Sequence, residues 1–306
     1  MTGIERFDVA LPHGITLACR AAGQPGRPVL VFLHGFPQAA FVWDAMLLHW
    51  SEPKHGGYRC IAPNLRGYAG SSAPADVQAY RPRHLVQDIS ALVRALGGPG
   101  VAALVAHDWG GAIAWNLAAQ ESALLQRLVI LNAPHPVLFA RELARSPAQQ
   151  AASAYMNFLA RPDAAQKLAE DDFRRLWALL RGMGTDQDSS WLDAALQAQH
   201  KACWQGGGLT GPCAYYAATP LRPPAESQRP DERPALAPTL GRIEVPTLVI
   251  WGLRDQALLP GLLEGLQEYV PRLQVHGVPD ASHWIVHERS ALVIEQITGF
   301  LQRQPQ

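Results

Sequence analysis

The chain has 306 residues, 48% of them apolar, with Lys+Arg and Asp+Glu at 26 each and a formal net charge of zero. That suffices for one large α/β domain carrying an insertion, or for two small domains. Balanced charge without a basic tract argues against nucleic acid or anionic lipid as a partner. No apolar run approaches the length of a membrane span, and Met1-Thr2-Gly3-Ile4-Glu5-Arg6 lacks the charged-then-apolar pattern of a signal sequence. Cys19, Cys60, Cys203 and Cys213 are widely spaced, with no C-x-x-C pair. They read as reduced thiols of a cytoplasmic protein, a Cys203–Cys213 disulfide being the less favoured reading.

Residues 4–9 and 14–20 read as two strands joined by a turn at Pro12-His13-Gly14. Val29-Leu30-Val31-Phe32-Leu33 is a continuous apolar strand of the kind covered on both faces, ended by His34-Gly35-Phe36-Pro37. A helix is expected from Phe41 to Trp50, then a short strand at Tyr58-Arg59-Cys60-Ile61-Ala62. Asn64 to Ser72 is a loop rich in turn residues. Arg83 to Leu96 has helical periodicity and stops at Gly97-Gly98-Pro99-Gly100. Val101 to Val105 is the next apolar strand, followed by Ala106-His107-Asp108-Trp109-Gly110-Gly111 and a helix. Small residues flank Asp108 where strand and helix backbones crowd, which is the spacing of a nucleophile elbow with Asp at its tip.

Leu128-Val129-Ile130-Leu131 is a sixth strand, ended by Asn132-Ala133-Pro134-His135-Pro136. From Val137 to Tyr216 the pattern is helical, with polar or Gly-rich breaks at 182–190 and 204–212. A proline-crowded return segment covers 217–240. Strands resume at Pro246–Trp251 and Leu273–Gly277, with helices near Leu259–Tyr269 and Ser290–Leu301. Alternating strands and helices imply an α/β fold with a mainly parallel sheet of eight strands. Residues 1–136 and 241–306 then form the core domain, and 137–240 a helical cap inserted after the sixth strand.

A nucleophile needs a base, a group that orients the base, and donors for developing negative charge. Ligands of such sheets bind beyond the carboxyl ends of the strands. His283 lies in the loop after the last strand, and Asp255 just past the end of the strand before it. The chain order Asp108, Asp255, His283 matches nucleophile, orienting acid and base, with Asp in place of the usual Ser.

His34-Gly35-Phe36-Pro37, Arg66-Gly67-Tyr68, His107-Asp108-Trp109-Gly110, Asn132-Ala133-Pro134-His135-Pro136 and Trp251-Gly252-Leu253-Arg254-Asp255 together resemble the epoxide hydrolase and haloalkane dehalogenase branch of the α/β-hydrolase superfamily, over residues 4 to 302. The resemblance implies an α/β-hydrolase fold and an oxyanion hole from the backbone N–H groups of Phe36 and Trp109. It also implies a cis peptide before Pro37, and a pocket near His34, Pro37, His107, Tyr215 and Trp284. A carboxylate suits displacement at saturated carbon, giving an alkyl ester that His283-activated water then opens.

An epoxide leaves as an alkoxide and needs an acid donor, which relatives supply from two cap tyrosines. Tyr155 stands seven residues before Pro162, and Tyr216 follows Gly211-Pro212, both as in that family. Tyr215, beside it, is the alternative donor. A halide would instead want indole N–H groups, from Trp109 and from Trp177, Trp191 or Trp204. No Arg follows Asp108 as in fluoroacetate dehalogenases, so a neutral substrate is expected.

Gly206-Gly207-Gly208-Leu209-Thr210-Gly211 fits G-x-G-x-x-G but lacks a preceding strand, and reads as a cap loop. His34 and His107 lack further ligands at metal spacing and read as loop-shaping. His135 reads as shaping the strand-to-cap junction, and Asp44, Asp88 and Glu295 as solvated helix faces. The expectation is an epoxide hydrolase acting on a small neutral organic substrate and water, without cofactor or metal. A dehalogenase with the same triad, or an inactive fold kept for binding, are the alternatives.

Overall fold

The computed structural model describes residues 3–98, 100–184, 190–224 and 240–303. Eight strands form one sheet in the order β1-β2-β4-β3-β5-β6-β7-β8. They are β1 (Glu5–Ala10), β2 (Thr16–Ala22), β3 (Val29–Leu33), β4 (Arg59–Pro63), β5 (Ala103–His107), β6 (Leu128–Leu131), β7 (Thr247–Gly252) and β8 (Leu273–Val278). β1–β2 and β2–β4 pair antiparallel; every other neighbour pair is parallel.

Every residue of β3, β4, β5, β6 and β7 is buried, because helices cover both faces. Successive side chains alternate between two cores. Val31, Leu33, Leu104, Leu128 and Ile130 meet α2 (Pro82–Gly97) and α3 (Trp109–Gln120) through Leu85, Ile89, Leu92 and Trp115. Leu30, Phe32, Val105, Val129 and Ile250 meet Trp43, which caps α1 (Asp44–Ser51), Leu47 and Trp50 of α1, and Val293 and Ile297 of the C-terminal helix (Ser290–Gln302).

Between β6 and β7 lie α4 (Pro136–Arg145), α5 (Pro147–Ala152), α6 (Tyr155–Leu159), α7 (Ala164–Gly182), α8 (Ala194–Gly207) and α9 (Thr210–Ala218). Met156, Leu159, Leu168, Leu176 and Leu180 of this insertion share one core with α2 and α3. α7 is interrupted where Asp171, Asp172 and Phe173 take left-handed backbone angles.

Several boundaries differ from the sequence reading. The elbow strand starts at Ala103 and reaches His107, because its pairing with β6 extends to Leu131; Val101 makes only an isolated bridge to Leu125. The helix expected over 259–269 is a 3-10 turn (Pro260–Leu263) and α10 (Leu266–Tyr269), parted by Gly265 at φ 82°. The break expected over 204–212 is narrower, since α8 runs to Gly207 and α9 begins at Thr210; the G-x-G-x-x-G run is thus mostly helix ends. Asp88 is not solvated. It is buried and held by Arg66 and His13. Asp44 pairs with Arg20 through a bond of 2.6 Å. All four cysteines are free thiols. Of the return segment expected over 217–240, Ala217 and Ala218 close α9, while residues 225–239, with the charged group at 231–233, lie outside the described residues. So do residues 185–189 of the break expected over 182–190.

Candidate active site

Asp108 joins β5 to α3 at φ 51° and ψ −121°, a backbone region that costs a non-glycine residue about 1–3 kcal/mol. The neighbouring packing enforces it. A Cβ on Gly110 would lie 2.6 Å from the Leu33 carbonyl oxygen, so α3 approaches β3 more closely than any side chain allows. The turn lifts the Asp108 carboxylate off the sheet, at the N-terminal and electropositive end of α3.

Its Oδ1 accepts the backbone N–H of Phe36 at 2.7 Å, and the backbone N–H of Trp109 also bonds the carboxylate. The peptide between Phe36 and Pro37 is cis. Oδ2 faces His283 Nε2 at 3.7 Å. On the far side of the ring, His283 Nδ1–H donates to Asp255 Oδ2 at 2.8 Å. Asp255 Oδ1 accepts the backbone N–H groups of Ala257 (2.8 Å) and Leu258 (2.9 Å). The loop carrying His283 is pinned twice. Ser282 donates from N and Oγ to Glu288, each at 2.7 Å, and His107 Nε2–H donates to the His283 carbonyl at 2.9 Å.

Tyr155 opens α6 and Tyr216 lies in α9; their ring centroids are 6.1 Å apart. Tyr216 also meets Trp109 and Phe36 edge-on, each at 5.2 Å. The two tyrosines share with Asp108 and Trp109 a cavity of about 70 Å³, walled by Pro134, Pro136, Phe139, Met156, Leu221 and Leu258. Apart from Asp108, the tyrosine hydroxyls, Thr219 and the Trp109 indole, whose N–H bonds Tyr216, that wall offers a ligand little but hydrocarbon.

Five residues expected at the pocket stand outside the wall of this cavity, their polar atoms bonded within the protein frame. His34 Nδ1–H donates to the Gly35 carbonyl and its Nε2 accepts the Leu65 N–H. His107 holds the His283 loop. The Pro37 carbonyl accepts the Trp204 indole N–H at 2.7 Å. Tyr215 donates to the Arg66 carbonyl at 2.8 Å, and the Trp284 indole to the Leu180 carbonyl at 2.6 Å. His135 forms no hydrogen bond through either ring nitrogen; it stacks on Tyr269 at 4.8 Å.

Burial raises the Asp108 pKa above the usual carboxylate value, opposed by His283 and the two backbone donors. Burial works against a charged His283, but Asp255 and then Asp108 outweigh it, so its pKa ends above 6.5. Burial and the Asp108 charge hold Tyr155 well above 10. Tyr216 is held there by burial, then by Tyr155 and Asp108. Burial keeps His107 neutral, and His34, whose pKa falls to about 4. Among the described residues no group of three or more His, Cys, Asp or Glu could hold a metal ion.

Sequence reasoning missed Asn132 and Gln149. Asn132, at φ 38° past the end of β6, donates to Asp255 Oδ2 and accepts the Gly252 N–H. Gln149 of α5 donates to the Ala257 carbonyl and accepts the Leu259 N–H, so the insertion grips the Asp255 loop. An Asn two residues before a proline at a strand end was the one visible signal.

Residues 28–290 match the protein-family profile described as the alpha/beta hydrolase fold, and the chain belongs to that family. It is 32% identical to the AB hydrolase superfamily protein YfhM of Bacillus subtilis, over 95% of this chain and 96% of that one. It is 30% identical to epoxide hydrolase 3 of Xenopus tropicalis, over 94% of this chain and 75% of that one. Among solved structures it resembles the Bacillus megaterium epoxide hydrolase (TM-score 0.86, 29% identity, 97% and 100% of the two chains). It also resembles an epoxide hydrolase from hot-environment metagenomes (TM-score 0.87, 38% identity, 99% and 100%).

Proposed function

We propose that this protein is an epoxide hydrolase that opens a small neutral epoxide to a vicinal diol through an alkyl ester on Asp108. The observation that carries the reading is the pairing of a carboxylate nucleophile with two protonated tyrosines, Tyr216 buried and Tyr155 partly buried, across an apolar cavity. Relatives and structural neighbours named as epoxide hydrolases support the same chemistry.

In the first step Asp108 Oδ2 attacks a ring carbon and forms a C–O bond, while the ring C–O bond breaks. Tyr155 or Tyr216 gives its proton to the departing oxygen, which becomes the first hydroxyl. In the second step His283 takes a proton from water, and the hydroxide adds to the ester carbonyl carbon of Asp108. Negative charge then gathers on Oδ1, where Phe36 and Trp109 present their N–H groups; one such donor is worth ~2.7–4 kcal/mol. Collapse releases the diol, and the proton held by His283 makes good the one lost by the tyrosine. The balance is epoxide plus water.

A halide cradle has less support. The indole N–H of Trp204 is spent on Pro37, and that of Trp177 on the Asp172 carbonyl. The helical insertion supplies both tyrosines and would act as the cap. No helix among the described residues is long and apolar enough to cross a membrane.

The test is one turnover on styrene oxide in heavy-oxygen water. The label is expected in the Asp108 side chain, and His283→Gln is expected to accumulate the ester. Diol formation by Asp108→Ala, or an Asp108 that never gains label, would sink the proposal.

A further inference from the structure

Loop Asn64–Ser72 is bonded on one side to the oxyanion segment and on the other to the helix that carries Tyr216. On the first side, the Leu65 N–H donates to His34 Nε2 at 3.1 Å, and Asn64 Oδ1 accepts the Ala40 N–H at 2.8 Å. On the second, the next residue, Arg66, offers its carbonyl to the Tyr215 hydroxyl at 2.8 Å. Gly67 then meets Gly211, the second residue of α9, backbone to backbone. A Cβ on Gly211 would lie 2.4 Å from the Gly67 carbonyl oxygen. The loop is itself rigid: Asn64 donates to the Ala69 carbonyl at 2.6 Å, and Ser71 Oγ to the Asn64 carbonyl at 2.6 Å.

Arg66 is fixed from behind. Its guanidinium makes two bonds to Asp88 of α2, at 2.7 and 2.6 Å, and a third to the Ala79 carbonyl at 2.8 Å. Arg66 and Asp88 are both at most 5% exposed. A paired and doubly bonded guanidinium in that setting cannot swing without stranding a buried charge. Its carbonyl is therefore a fixed anchor. Tyr215, 1% exposed, reaches it through a floor of Tyr68, Tyr80 and Trp109 rings at 5.5–5.7 Å.

Tyr215 and Tyr216 are adjacent on one helix and point about 100° apart. One looks at the anchor and the other at Asp108. Resting on the donor role proposed above for Tyr216, we propose that Tyr215 is a positioning residue for ring opening. Its hydroxyl, seated on Arg66, sets the depth and rotation of α9, and so where the Tyr216 hydroxyl stands relative to the Asp108 carboxylate. The loop that holds this seat also holds His34 and, through it, the segment carrying Phe36. Acid donor and oxyanion donor are thus referred to one frame.

The experiment separates the two chemical phases. Single turnovers on styrene oxide are followed by quenching and mass measurement of the ester on Asp108, for wild type, Tyr215→Phe, Gly211→Ala and Tyr216→Phe. Tyr215→Phe keeps the ring and loses one buried hydrogen bond. It is expected to slow ester formation about tenfold, as loss of one such bond allows, and to leave ester hydrolysis within about twofold. Gly211→Ala pushes α9 off the same seat without touching a hydroxyl, and is expected to show the same one-sided loss. Equal slowing of both phases would mark general loosening and overturn the positioning role, as would wild-type ester formation in Tyr215→Phe. If Tyr216→Phe itself forms ester at the wild-type rate, the donor reading falls first and this inference with it. If Tyr216→Phe is slow and Tyr215→Phe is not, only the positioning role fails.

Discussion

The side-chain amide of Asn132 donates to Asp255 Oδ2 at 2.7 Å, on the same oxygen that receives the His283 ring N–H at 2.8 Å. With Ala257 and Leu258 on Oδ1, four donors hold that carboxylate. Asp255 therefore cannot rotate to follow the imidazole; the imidazole must conform to it. Replacing Asn132 with Gly preserves the positive φ and removes the amide. A hydrogen bond to a charged group is worth about 1.5–3 kcal/mol, so ester hydrolysis in Asn132→Gly should slow by roughly 10–100-fold. Ring opening, which does not use His283, should stay near wild type. Stopped single turnovers resolve the two phases, and an unchanged second phase would show that the backbone donors alone suffice.

The two phases should also titrate apart. His283 must be neutral to take a proton, and its pKa lies above 6.5. In the ester Asp108 carries no charge, so one of the groups that raise His283 is lost, and ester hydrolysis should fall on acidification through a pH below the one at which His283 titrates in the free protein. Ring opening needs Asp108 ionised; burial raises its pKa, so that limb should lie above the range of an ordinary Asp. Both tyrosines hold their protons well above 10, so ring opening should show no alkaline limb below about pH 10. Rates measured between about pH 5 and about pH 10 check all three limbs. An alkaline fall near pH 8 would mean that a tyrosine is less buried than described.

The strands were legible because a sheet covered on both faces leaves short unbroken apolar runs, as in Val29–Leu33 and Leu128–Leu131. The elbow was legible because crowding around Asp108 demands small neighbours within three positions. Both signals are local. Asn132 and Gln149 were missed because they act on Asp255 across more than a hundred residues of chain, and an isolated Asn or Gln carries no spacing to betray that. Asp88 failed for a related reason. On α2 it sits where a solvated carboxylate would, and only the distant Arg66 and His13 make it a buried partner. The frame after Gly211-Pro212 favoured Tyr216 by resemblance, but helix periodicity alone left Tyr215 open, because either of two adjacent helix residues can face the site. The Arg66 carbonyl accepts the Tyr215 hydroxyl, and Tyr216 is the one of the pair that lines the cavity with Asp108.

Trp204 ties the helical insertion to the oxyanion segment through the Pro37 carbonyl. Trp204→Phe retains ring contacts with Phe173 and Trp177 but leaves that carbonyl short of its donor. A buried acceptor left unpaired costs about 1–3 kcal/mol, so the melting temperature should drop by roughly 2–6 °C. Phe36, one residue before Pro37, would lose its firm backing. Ester hydrolysis, which loads charge on Oδ1, should slow more than ring opening. A variant with the wild-type melting point would show that the bond is matched by water in solution.

His200 is fully buried in α8 against Phe41 and Trp204, and neither ring nitrogen has a hydrogen-bond partner. Burial lowers its pKa from 6.5 to about 3, and burial likewise lowers His34, His135 and His287 to about 4. The unfolded chain binds protons on these rings below pH 6.5, whereas the folded protein refuses them until pH 4 or lower. Their contribution to stability is therefore complete above 6.5 and is lost as pH falls toward the folded values. Each ring adds up to about 1.4 kcal/mol of lost stability per pH unit inside that window. His200→Phe fills the same aromatic contacts without a basic nitrogen. It should match or exceed wild-type stability at neutral pH, and lose less on acidification by about one proton's worth of slope. Urea midpoints at about pH 7 and about pH 5 measure the difference. An identical acid slope in wild type and variant would mean that His200 takes up its proton in the folded protein, which its packing against Phe41 and Trp204 forbids.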